Sequence, residues 1–221
     1  MTAAAPRPPT APKFPRGGLR SLEPGQLEDE SVYRGVVLEG LDLSGTRLHA
    51  VAFEGAVFRE VRVLGAQWTH LRLRDVRFED CDLSGAVWPG ASLERVAFSG
   101  SRMLGTQLPE ARLRHVRLTR VQAPLSLWFR ADSAGFWAEA SDLNEATFME
   151  AKLPGAVFRA CRLTRTDFLG AALPGADLRG SELGRTRLGL RELEGVTVEP
   201  VQLLDLAHVL GVRVAELDAV P

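Results

Sequence analysis

Lysine is nearly missing from this 221-residue chain: only Lys13 and Lys152 occur, and arginine makes up the rest of the 27 basic side chains. Set against 28 acidic residues the net charge is −1, so no bulk electrostatic bias directs the chain to nucleic acid or a membrane surface. It has no run of about 18 apolar residues, which excludes a spanning helix, and no charged-then-apolar leader with a small-residue cleavage site. A cytosolic protein is expected. Catalytic motifs are missing too: GxxxxGKS/T, GxSxG, GxGxxG and CxxC do not occur. The histidines, His49, His70, His115 and His208, have no metal-ligand spacing. Neither enzyme activity nor a cofactor is expected.

What the chain does have is a five-residue period. From Val36 to Thr186 every fifth position is small or apolar, and from Leu38 to Leu188 every fifth is Leu, Phe, Trp, Met or Val with few lapses. These two registers hold 62 positions and not one Asp, Glu, Lys or Arg. At ordinary composition about a quarter would be charged. The chain therefore has an inside and an outside at every fifth residue, the mark of a solenoid.

CDLSG at 81–85, TDFLG at 166–170 and ADLRG at 176–180 show the unit most clearly: small, polar, Leu or Phe, then two variable residues. It resembles the pentapeptide-repeat family over residues 31–198. That resemblance implies an all-β solenoid, a right-handed four-sided β-helix of about eight coils with four repeats in each twenty-residue coil. Residues twenty apart then stack about 4.8 Å apart, giving a rod of about 38 Å. Trp68, Trp88 and Trp128 fall in one inward column, and Phe58, Phe78, Phe98 and Phe158 in another. Such sorting suits ring stacking between coils. An outward column, Asp42, Arg62, Asp82, Arg102, Gln122, Asp142, Arg162, Glu182, mostly alternates in charge. Cys81 and Cys161 share a face four coils apart, about 19 Å, too far for a disulfide.

Residues 1–30, with prolines at 6, 8, 9, 12, 15 and 24, form an expected flexible tail. Coil 121–140 bends the rule: Phe136 and Ala138 look like a size swap in one repeat, and Leu125, Leu127, Phe129 and Trp137 occupy outward positions. Either the coil tucks these side chains into its own core, or the tail covers them, or they mark a partner site. After Val198 the period changes. Pro200 in a first turn and Gly211 as a stop predict a helix, part of a capping segment over 199–221, with Leu203, Leu206, Ala207 and Leu210 along one side.

QLLDLAHVLG followed by VRV resembles the ending of the Qnr and MfpA branch of that family. The branch implies end-to-end homodimerisation and a non-enzymatic role: imitating DNA, binding DNA gyrase or topoisomerase IV, and protecting them from poisons. Asp42, Asp82, Asp142 and Glu182 are the nearest approach to the acidic track a mimic needs, though Arg62, Arg102 and Arg162 interrupt it. The alternative is a scaffold that binds a protein through the 125–137 patch, or through a corner where Arg72, Arg74, Arg77, Arg112, Arg114 and Arg117 gather. Direct nucleic-acid binding and membrane association are not expected.

Overall fold

The computed structural model describes residues 6–215. It is a parallel β-solenoid ended by one short helix. The twenty-residue register is kept from Val32↔Ala52 to Asp177↔Thr197, and four columns of bridges per coil make the rod four-sided. Two adjacent sides share one continuous sheet, which bends at the corner through Gly55, Asp75, Arg95 and His115: β1 (Arg20–Ser21), β2 (Val32–Arg34), β3 (Val36–Glu39), β5 (Ala52–Arg59), β7 (Arg72–Glu79), β8 (Ser92–Ser99), β9 (Arg112–Thr119), β10 (Asp132–Glu139) and β11 (Val157–Arg159). The short strands β4 (Arg47–His49) and β6 (Gln67–Thr69) pair on another side.

The uncharged registers are the core, nearly all of it fully buried. Like rings stack as their columns require: Phe58, Phe78 and Phe98 with centroids 4.6 and 4.8 Å apart, and Trp68 on Trp88 at 5.5 Å. Trp128, Phe148 and Phe168 continue the second stack at 5.8 and 5.2 Å. Two indoles donate to hydroxyls of the small register, Trp68 to Thr46 and Trp128 to Ser126, whereas Trp88 Nε1 is buried without a partner. Cys81 and Cys161 are free and buried, and desolvation pushes both thiols up to about 11.

The chain turns at each corner by taking positive φ at every fifth residue from Glu30 to Arg185. Left-handed backbone costs a residue with a Cβ about 1–2 kcal/mol, so each such corner draws on the packed core beneath it. Leu190 is the first corner position that does not take positive φ; Gly195 returns to it at 75°, and the register ends with Asp177↔Thr197. Glu192, buried at the end of the rod, accepts from the Gly170 and Gly189 amides. The helix is shorter than predicted: α1 (Gln202–Leu206) tightens into a 3-10 turn over Ala207–Leu210, and Gly211 at φ 67° stops it.

Coil 121–140 keeps its phase, with β10 in full register on β9. Phe136 fills the core, 5.6 Å from Trp128 and 5.4 Å from Phe158, and Ala138 two positions on is fully buried. The size swap therefore preserves packing.

Candidate binding surfaces

The acidic residues of the outward column stand on one side of the rod, and each is already engaged. Asp42 pairs with Arg62 at 3.2 Å, and hydrogen bonds from Ser44 lead in holding its carboxyl below the usual range. Asp82 accepts from the Ser84 amide and hydroxyl, at 3.1 and 2.6 Å. Arg162 lies between Asp142 at 3.4 Å and Glu182 at 3.9 Å. Other columns repeat the device in Arg34–Glu54, Arg74–Glu94, Arg130–Glu150 and Arg187–Asp167. Each exposed pair contributes only about 0–1 kcal/mol, but together they leave no unbroken anionic stripe.

The apolar residues of coil 121–140 do not form one patch. Leu125 is exposed at a corner, whereas Leu127 and Phe129 are half-buried, with the Arg130 guanidinium 4.7 Å above the Phe129 ring. Trp137 is buried on the sheet side between Arg117 and Arg159, each about 5.3–5.4 Å from its ring, and its N–H donates to Glu139. Cation–π contact of this kind gives an outward indole a partner without a core.

The arginine-rich corner is occupied by the N-terminal segment. Pro15 lies over Gly35 and Gly55, where an added Cβ would be 3.2 Å from its ring in both cases. Phe14 packs under Arg77 at 4.9 Å, the Lys13 amide donates to Asp75 at 2.9 Å, and the Thr10 amide donates to His115 Nδ1 at 3.4 Å. Asp75 also holds Arg95 in a two-pronged pair at 2.6 and 2.7 Å. Burial pushes the Asp75 carboxyl up, but Arg95 and the Lys13 amide outweigh it and the net shift is down. Further along, Pro9 to Pro12 line a narrow recess with Arg77, Val96, Ala97, His115 and Arg117. The described contacts of this strap end there and do not reach coil 121–140. Residues 1–5 of the predicted tail lie outside the described residues. Sequence reasoning missed this docking, although prolines at every third position, 9, 12 and 15, were a signal.

At the other end the cap divides its residues. Leu206 and Ala207 are buried against the last coil, and Gln202 reaches the Leu178 and Ser181 carbonyls at 2.8 and 2.6 Å. Leu203 faces solvent at 54 % exposure, Leu204 at 62 %, and Leu190, Val201, Val212 and Val214 are exposed with them. The side chain of Leu210 lies outside the described residues. Val212 and Val214 are in no strand among the described residues. No group of three or more His, Cys, Asp or Glu is placed to hold a metal among the described residues, and no helix is long and apolar enough to cross a membrane.

The pentapeptide-repeat family model matches residues 77–114 and 141–180, in eight copies. Residues 77–114 and 141–180 of the chain therefore carry pentapeptide repeats. No curated protein matches it in sequence. Among solved structures the chain is similar to HetL, a pentapeptide repeat protein involved in heterocyst differentiation regulation from the cyanobacterium Nostoc sp. strain PCC 7120. The identity is 22 %, covering 77 % of this chain and 84 % of HetL, at a TM-score of 0.38. It is also similar to a trypsin-treated form of QnrB1, a plasmid-mediated fluoroquinolone resistance protein, at 18 % identity, covering 84 % of this chain and all of that one, TM-score 0.36. A pentapeptide repeat protein of the Arabidopsis thaliana thylakoid lumen matches at 18 % identity over 77 % of each chain, TM-score 0.20.

Proposed function

We propose that this pentapeptide-repeat chain acts by binding rather than catalysis, as a rod paired end to end through its C-terminal cap. We further propose DNA gyrase or topoisomerase IV as the partner it shields from poisons. The observation that carries the pairing is the exposed apolar face of the cap, formed by Leu190, Val201, Leu203, Leu204, Val212 and Val214. An apolar surface closing one end of a solenoid is removed from water most simply by a second copy of itself.

The partner is suggested by the terminal segment, whose sequence resembles the Qnr and MfpA ending, and by how charge runs along the rod. Between residues 56 and 138 twelve arginines outnumber eight carboxylates, whereas between 139 and 205 eleven carboxylates outnumber eight cations. Pairing through the C-terminus sets the two acidic stretches side by side at the centre of the dimer, a basic stretch on either side of them, and at each outer end residues 20–55, where seven carboxylates outnumber three arginines. A basic saddle shaped for DNA would meet that centre, near Asp142 and Glu182, rather than the whole column from Asp42. The test is gyrase supercoiling in the presence of a quinolone, with and without the protein. Protection that rises with dimer concentration is expected. Absence of both protection and gyrase binding would remove the topoisomerase and leave a scaffold for another protein.

A further inference from the structure

We infer that the corner through residues 35, 55, 75, 95 and 115 is a recognition track for an extended segment with prolines at every third position. Its partner is a proline-rich segment of another protein, and residues 9–15 of the chain hold the track as an occupant in cis.

The argument rests on matched spacings. Pro9, Pro12 and Pro15 recur at three, and so do Thr10 and Lys13, the residues whose amides donate to the corner. Proline fixes φ near −65° and drives the preceding residue to extended backbone, here Pro8, Ala11 and Phe14. A polyproline II helix has three residues per turn and rises about 3.1 Å per residue, so one turn advances about 9.3 Å. The acceptors Asp75 and His115 are two coils apart, about 9.6 Å at strand spacing. One turn of the strap thus covers two coils of the solenoid, and every third amide meets the same corner.

The floor of the track is shaped for the prolines. Gly35 and Gly55 leave room that any Cβ would take from Pro15, and at Gly55 the Lys13 carbonyl also lies 3.8 Å from where the Cβ would stand. Arg77 covers Phe14. Asp75 is held in place by Arg95, so its carboxylate is preorganised for an incoming amide. A preformed polyproline II segment loses little entropy on docking, so a shallow track with two fixed acceptors can hold it. The strap is tethered through Arg16 but meets the track only by noncovalent contacts, so a segment of the same spacing can displace it.

The test uses the full chain with the strap broken by Pro12→Gly, Phe14→Ser and Pro15→Gly, and a fluorescent peptide of residues 6–16 as probe. Saturable binding is expected, at least tenfold tighter than to the parent chain, whose own strap competes at high effective concentration. A peptide of the same composition with its prolines bunched should not bind. Asp75→Asn and His115→Gly, each added to the strap-broken chain, should weaken binding about tenfold, with circular dichroism confirming the solenoid. No saturable binding to the folded strap-broken chain, or equal binding of the bunched peptide, would overturn the inference. So would binding that neither substitution changes.

Discussion

The two ends of the rod solve one problem differently. At the N-terminal end, β1 pairs with β3, Leu22 plugs the core, the Tyr33 hydroxyl accepts from the Glu28 amide and donates to the Gln26 carbonyl, and Asp29 accepts from His49. Charged and polar residues cover this end. At the C-terminal end, Leu206 and Gln202 plug the core just as firmly, but the outer layer is apolar. A solenoid needs both ends capped, and a polar outer face keeps a cap soluble, so the apolar C-terminal cap is the end on which the proposed pairing rests.

The largest effects should come from the two plugs. Leu22→Ala and Leu206→Ala are each expected to cost about 2–4 kcal/mol in urea unfolding, because both leucines are buried beside the last core layer. Only Leu206→Ala should also loosen association, and equal loss of association from both would break the contrast. Next come the polar ties. Gln202→Ala strands two carbonyls and the Glu199 amide, about 2 kcal/mol, and Tyr33→Phe strands one amide and one carbonyl nearer the surface, about 1 kcal/mol.

Acid should separate the ends as well. Hydrogen bonds from Arg179 and then Arg159, working against burial, bring the Asp177 carboxyl down to about 2 from an ordinary 3.8. A depressed folded value contributes stability that is complete above about pH 4 and is lost as pH falls toward 2, here about 1–2 kcal/mol. Asp177 belongs to the last rung, so a pH series of thermal melts should show this loss, and Asp177→Asn should flatten it. The smallest effect lies in neither end: Ala86→Ser offers Trp88 the hydroxyl that Ser126 offers Trp128, and calorimetry should register a gain of about 1 kcal/mol.

The core was legible because inward positions repeat with no charge, and twenty-residue stacking then placed Trp68 over Trp88 and Phe78 over Phe98. The corners were less so. Positive φ recurs at every fifth residue, yet glycine fills only fourteen of the thirty-one corners from 35 to 185, and Glu60, His70 and Arg120 look like ordinary surface residues. The strap was hidden for another reason: prolines carry no amide donor and no core pattern, so a docked segment reads as a tail until its threefold spacing is set against the coil spacing. At 125–137, outward positions alone did not reveal that Arg117 and Arg159 would enclose Trp137.

The central claim is that the C-terminal cap is a dimer face, and light scattering on the parent chain and on Leu203→Asp with Leu204→Asp tests it directly. Both leucines are exposed, so the variant should unfold within about 0.5 kcal/mol of a parent monomer. The parent should scatter with twice the mass of its 24.1 kDa chain and the variant with that mass alone. A monomeric parent, or a variant that still pairs, would contradict the account.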